Sequence, residues 1–303
     1  HVAGTLSFIQ GGILAGHATP LMTGILLFLY AYGTGKAALM PIHRWLPNAM
    51  VAPTPVSALL HAVAVVKTGV FTIVKVVVYI FGIDHLSSTG FHIYLAYIAG
   101  GTIVLSSLVA MQQDNLKARL AYSTISQLSY IVLGAALANA HGILGAGLHI
   151  AMHAFGKITL FFCAGAIMVA LHKTEISDMR GIGRQMPFTM AAFIIGSLSI
   201  IGVPPLGGSW SKWYLALGAA DTSHLLLVSV LMLSSLLNIA YLLPIPARAF
   251  FSKATGDDGH HGEGLHEAPL FCLIPLCLTA LGCVLLFFFT DPIYQLLAPI
   301  VQP

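Results

Sequence analysis

Long apolar runs separated by short polar breaks dominate the chain. A hydrocarbon core roughly 30 Å thick takes about 20 apolar residues per helical crossing. On that measure, eight runs predict transmembrane helices at 20–40, 56–82, 92–112, 118–138, 142–172, 187–220, 224–250 and 269–290. Two of them carry helix breakers. The first contains GTGKAALMPIHRWLP, with Gly33, Gly35 and Pro41; the sixth contains IIGVPPLGGSWSKWYL, with Gly202, Pro204, Pro205, Gly207 and Gly208. Proline removes a backbone donor and clashes with the preceding turn. Non-helical backbone at membrane depth survives only where protein buries it or a wet cavity receives it. The two breaks are five helices apart, an odd offset that makes the two copies run in opposite directions, as an inverted repeat requires. A plain proline kink is the alternative for either break taken alone.

Charge outside the runs and at their ends supports this count. Arg44, Lys117, Arg119, Lys173, Arg180, Arg184, Arg248 and Lys253 follow the first, third, fifth and seventh helices, whereas 83–91, 139–141 and 221–223 have no Lys or Arg. The positive-inside rule then places the odd loops on the cytoplasmic or matrix side and the C-terminus outside. The expected fold class is an all-α integral membrane protein of eight transmembrane helices, two of them broken.

Composition excludes other classes. The chain is 57% hydrophobic and 8% charged, against roughly 25% charged for an ordinary soluble domain. A net charge of +3 spread over 303 residues gives no surface for nucleic acid. Cys163, Cys272, Cys277 and Cys283 lie in apolar runs without CxxC spacing and are expected to pack. No redox, hydrolytic or cofactor motif is present, and no cofactor or metal is expected. The first residue is His1, so the chain is expected to be part of a longer one.

The remaining cations are Lys36, Lys67, Lys75, Lys157 and Lys212, all within the predicted helices, while the acids lie in loops or at helix ends. A lysine inside a membrane costs roughly 2.5–3.5 kcal/mol on insertion scales and marks function by default. Burial favours the neutral form of an amine and a nearby carboxylate favours the charged form, so a buried lysine whose acidic partner moves can load and release a proton. That partner must come from elsewhere. Lys36 and Lys212 stand beside the two breaks, Lys67 and Lys157 lie mid-helix, and Lys75 is expected to snorkel to the interface.

The stretch GAGLHIAMHAFGKI adds His149 and His153, each four residues from the next base and ending at Lys157. At 3.6 residues per turn these three form a stripe about 80° wide and roughly 12 Å long. Histidines with bridging water can carry protons along such a stripe. Zinc is a weaker alternative, since a lysine at the next position repels a cation. His61 lies six residues before Lys67, about 120° away around an α-helix, so it is expected to face Lys36 or the fifth helix. Ser123, Thr124, Ser126, Gln127, Ser129 and Tyr130 make half of the fourth helix polar, which suits either helix packing or a wet path. Lys117 reads as a gate or a positive flank, and GDDGHHGEGLHE (256–267) as a solvated loop.

Four segments resemble one family. GKAALMPIHRWLPNAMVAPTPVSALLHAVAVVKTGV (35–70), LKARLAYSTISQLSYIVLG (116–134), HIAMHAFGKITLFFCAGAI (149–167) and GVPPLGGSWSK (202–212) are similar to the antiporter-like subunits of respiratory complex I, Mrp cation/proton antiporters and membrane-bound hydrogenases. The resemblance covers nearly the whole chain. It implies an inverted-repeat antiporter-like fold in one membrane domain. The end of a first repeat would fall at 20–82, a second repeat at 92–250 and a flanking helix at 269–290, with the family's N-terminal helices missing. It implies proton translocation in a multisubunit complex with homologous membrane subunits, in an energy-coupling membrane such as a prokaryotic inner membrane. Lys36, Lys67, Lys157 and Lys212 resemble the family's proton-carrying lysines, and His61, His149 and His153 would join the relay. The family's glutamate partner for Lys36 lies on a helix that this chain does not contain. The end of the chain resembles members without a lateral arm. The alternatives are an Mrp-type Na⁺/H⁺ antiporter subunit and a structural subunit that no longer pumps.

Overall fold

The computed structural model describes residues 4, 5, 7–252 and 265–301. The solvated loop expected at 256–267 lies outside them up to residue 264. The chain is helical, and the pairing of Asn115 with Glu175 is an isolated antiparallel bridge. The main elements are α1 (Pro20–Gly33), α2 (Thr54–Phe81), α3 (His92–Gln112), α4 (Leu116–Ala136) and α5 (Ala140–Leu171). They are followed by α6 (Pro187–Ile201), α7 (Gly208–Asp221), α8 (Leu225–Phe251), α9 (Leu270–Phe288) and α10 (Asp291–Val301). By length and composition α2, α3, α5, α8 and α9 each suffice to cross a membrane. α4 has comparable length with a polar half, and α1 and α6 are apolar but shorter. The chain is an all-helical integral membrane protein.

Local chemistry sets the ends. The Thr19 side chain caps α1 and Pro20 opens its first turn, where a missing N–H costs nothing. The expected helix at 20–40 is shorter than predicted. It ends at Gly33, a 3₁₀ turn follows at Gly35–Ala37, and Ala38 turns left-handed at φ 55°. Pro41 disfavours helical geometry in the residue before it. In the predicted run 187–220 the break falls between Ile201 and Gly208, where Gly202 caps α6 at φ 90°. Gly208 is required at the restart, because a Cβ there would sit 1.9 Å from the Ser199 carbonyl oxygen.

α4 lies at the centre, packed between α3 and α5, and from Ser123 to Ala136 each of its residues is buried. α5 runs 32 residues, about 48 Å at 1.5 Å per residue. Asn139 accepts from the Gly142 N–H at 2.7 Å to cap it, and donates to the Gly218 carbonyl of α7 at 2.7 Å. Beside this cap, His141 Nδ1 lies 2.6 Å from Asp221 Oδ2, tying the same two helices.

Two apolar clusters stack along α4 and α5. α5 gives Ile143 and Ala146 to one and Leu160, Phe161 and Ile167 to the other; α4 gives Leu128 and Leu133 to the first and Leu116 and Leu120 to the second. The stretch of α5 between them carries His149, His153 and Lys157. The fold therefore holds a polar layer between two apolar ones.

Candidate functional site

The polar layer forms where α2, α4, α5 and α7 meet. Lys67 of α2 points at α5, and its Nζ lies 2.5 Å from Nδ1 of His153. Since an ammonium has no lone pair, it donates and the ring nitrogen accepts. The His153 and His149 rings stack with centroids 5.9 Å apart, as their spacing on one helix face requires. His149 Nδ1 lies 2.8 Å from Ser211 Oγ on α7, and its Nε2 lies 3.1 Å from Gln127 Oε1 on α4. The His149 ring also stacks with Tyr130 at 5.5 Å, and Lys212 Nζ stands 4.9 Å from the centroid of that Tyr130 ring. A row of polar side chains thus runs from Lys67 through His153, His149 and Tyr130 to Lys212. Lys67 is 7% exposed, His149 2% and His153 1%.

Lys212 also explains how the second break is held. Its Nζ donates to the Ile201 carbonyl at 2.9 Å and to Ser235 Oγ at 3.3 Å. Ile201 ends α6, and a cation is favoured at the unsatisfied carbonyls of a helix C-terminus. Lys157 is fully buried and donates to the Leu120 carbonyl of α4 at 3.2 Å. Thr124 Oγ1 donates to that same oxygen at 2.9 Å.

The predicted residues do not all converge. Lys67, His149, His153, Lys157 and Lys212 share the layer. His61 is buried beside it on a π-helical turn (Leu59–Val63) and lays its ring on Phe161 of α5, with centroids 5.1 Å apart. Of the two orientations expected for His61, the structure has the one toward the fifth helix. Lys36 differs from expectation: its side chain is exposed on the flank of the bundle. The 3₁₀ turn carrying it rests its backbone on α2 at Gly69, where a Cβ would come 2.5 Å from the Lys36 carbonyl carbon. Lys75 is half-buried with Nζ 3.9 Å over the Phe8 ring, and Lys117 donates to the Ala52 carbonyl at 3.0 Å. From the acidic loop, Glu267 accepts from the Phe188 and Thr189 N–H groups at 2.6 and 3.1 Å and caps α6. A cleft of about 590 Å³ near Lys117 and Lys173 holds none of the row.

Ser211 and Arg119 were missed by sequence reasoning. The hydroxyl beside Lys212 in GGSWSK was a visible signal for Ser211. Arg119, expected as a loop charge, folds inward and donates to the carbonyls of Gln113 at 2.8 Å and Tyr241 at 3.1 Å. The Tyr241 hydroxyl in turn meets Ser123 Oγ at 2.8 Å and Asn238 Oδ1 at 2.5 Å. Among the described residues, His153 Nε2, Gln127 Nε2 and Asn238 Nδ2 are buried with no hydrogen-bond partner.

Residues 1–238 match the family model described as NADH:quinone oxidoreductase/Mrp antiporter, transmembrane. The chain belongs to this family. Its relatives include NADH-quinone oxidoreductase subunit N of Desulforudis audaxviator, 34% identical over 295 residues, covering 94% of this chain and 58% of that protein. They also include NADH-quinone oxidoreductase subunit L of Mycobacterium tuberculosis, 34% identical over 290 residues and covering 93% and 44%. The chain spans about half the length of the curated relatives it matches. Among solved structures, the Mrp complex from Dietzia sp. DQ12-45-1b superposes with a TM-score of 0.80 at 21% identity, covering 96% of this chain and 60% of that one. The family resemblance of the four sequence segments is thereby borne out, and all four contribute to the helices of the polar layer.

Proposed function

We propose that the chain is part of an antiporter-like subunit that moves protons across an energy-coupling membrane within a multisubunit complex. The observation that carries this reading is the buried row Lys67–His153–His149–Tyr130–Lys212. Such a row is expensive to bury, and neighbouring bases at hydrogen-bond and stacking distance are what stepwise proton transfer requires. Lys157 and His61 flank the row and complete the set. The orphaned polar atoms of His153, Gln127 and Asn238 need partners, and buried water is the ordinary one. Among the described residues no carboxylate is buried, which favours protons over Na⁺ as the ion carried here.

In this reading the eight predicted segments each cross the membrane, with α1 and its 3₁₀ continuation as one broken crossing and α6–α7 as the other. Segments 20–82 and 92–250 belong to two inverted repeats, and 269–290 flanks them. The loops with Lys and Arg face the cytoplasm, as in a prokaryotic inner membrane. The exposed Lys36 meets its carboxylate on a neighbouring helix, and homologous membrane subunits are partners.

Lys67→Met and Lys157→Met in the whole complex, reconstituted in proteoliposomes, test the reading: each lowers proton transport at least tenfold with the complex intact. Full transport in both variants would return the chain to a structural role. Co-purifying subunits separate the two driven forms. Iron–sulfur proteins identify a redox-driven complex, and small membrane subunits alone identify an Mrp-type Na⁺/H⁺ antiporter.

A further inference from the structure

His149 is the member of the row with a partner on both ring nitrogens, and the chemistry of those partners is unusual for a buried histidine. Nε2 faces Gln127 Oε1 at 3.1 Å and Nδ1 faces Ser211 Oγ at 2.8 Å. Of these two neighbours the serine hydroxyl is the one that can change role, since an amide oxygen only accepts. A serine hydroxyl donates once and accepts twice, and a glutamine amide donates through nitrogen and accepts through oxygen. Ser211 Oγ has a second outlet as well: it lies 3.0 Å from the Gly208 carbonyl oxygen, one turn back in α7.

We infer that Ser211 is a positioning residue whose hydroxyl turns between His149 and the Gly208 carbonyl, so that His149 gains and loses a proton without leaving a buried polar atom unpaired. In the neutral ring, Nε2–H donates to Gln127 Oε1 and Nδ1 accepts the Ser211 hydroxyl hydrogen. When a proton arrives on Nδ1, the ring becomes an imidazolium and Nδ1–H donates to Ser211 Oγ. The hydroxyl hydrogen rotates to the Gly208 oxygen. Atoms balance: one proton is added to the ring, and no other bond breaks except the hydrogen bond that Ser211 exchanges. Without this second acceptor the protonated ring would face a hydroxyl hydrogen, and a buried donor left without an acceptor costs about 1–3 kcal/mol.

The Gly208 carbonyl is held for this purpose by the break itself. Gly208 opens α7 and packs directly against the end of α6 at Ser199, so the acceptor cannot swing away. The charges that act on His149 are Lys67 of α2 and Lys212 of α7, with His153 on its own helix. Tyr130 and Gln127 of α4 face it as neutral groups. Ser211 is thus the contact of His149 that can both donate and accept, in a shell of bases and the neutral Tyr130 and Gln127. Its place one residue before Lys212 joins the protonation state of His149 to the break that Lys212 caps.

The inference rests on the proton-carrying reading of the row, and its test separates the two. In the full complex labelled with ¹⁵N-histidine, the His149 signal, assigned by its loss in His149→Gln, is followed against pH in wild type, Ser211→Ala and Ser211→Thr. Ser211→Ala is expected to move the titration of His149 by about one pH unit, the equivalent of a tenfold change in proton affinity. Transport falls at least tenfold with a displaced pH profile. Ser211→Thr, which keeps the hydroxyl, restores both to within threefold. An unmoved His149 titration in Ser211→Ala overturns the role of Ser211, whatever transport does. So does a slowed Ser211→Ala that Ser211→Thr fails to rescue. A wild-type complex that carries no protons overturns the proposed function and leaves the titration to judge Ser211 by itself.

Discussion

Replacing His153 with alanine removes the one hydrogen-bond partner of the Lys67 ammonium among the described residues. It also removes the ring that stacks on His149 at 5.9 Å. A hydrogen bond to a charged group contributes about 1.5–3 kcal/mol. At 1.36 kcal/mol per decade of rate, losing that contact along the proton route slows transfer roughly 10- to 150-fold. The fold should tolerate the change, because alanine is the strongest helix former and the apolar clusters lie on either side of position 153 along α5. The assay is dye-reported proton uptake by proteoliposomes holding the whole complex, with assembly checked on native gels. His153→Gln is the decisive companion. Its amide oxygen can still accept from Lys67, yet it does not protonate near neutral pH, so Lys67 remains paired while the relay is cut. Both variants should assemble and both should be slow. Transport within about twofold of wild type in His153→Gln would refute the reasoning, since the ring would then be a mere acceptor for Lys67.

Two further outcomes follow from the packing. Gly208→Val should abolish assembled protein, because its Cβ would sit 1.9 Å from the Ser199 carbonyl oxygen, whereas Gly33→Ala, with no atom within 4 Å of the new Cβ, should leave yield unchanged; membrane expression levels measure both. Glu267→Ala removes the acceptor for two N–H groups in the first turn of α6, a loss of about 1 kcal/mol for a helix cap. That corresponds to roughly 2–4 °C in Tm for a domain of this kind, with Glu267→Gln falling between it and wild type in a thermal melt of the purified complex.

Much of this site was legible in the sequence because its signals are local. The spacing of His149, His153 and Lys157 puts them on one face of any α-helix, and α5 is a helix. Gly202, Pro204 and Pro205 stop α6 by backbone chemistry that no neighbour is needed to enforce. The polar run from Ser123 to Tyr130 could only be tolerated inside a bundle, and α4 is the central helix. Other features had no local signal. Lys67 and His153 are 86 residues apart, and no periodicity says that their helices rotate to face each other. The orientation of His61 depends on a π-helical turn that changes the angular register along α2, which a constant 100° per residue does not reproduce.

Sequence by itself determined that this is an apolar helical membrane protein with two broken segments, and which bases are candidates for its interior. Helix periodicity, proline and glycine chemistry and the cost of charge in lipid all act over a few residues, so they can be read along the chain. Tertiary structure alone decided which bases meet. It set Ser211 and Gln127 on the two nitrogens of His149, gave Lys212 the open end of α6, and left Lys36 exposed, with its backbone close against α2 at Gly69. Those outcomes depend on how helices rotate and how closely their backbones approach, and both are fixed by contacts between distant parts of the chain.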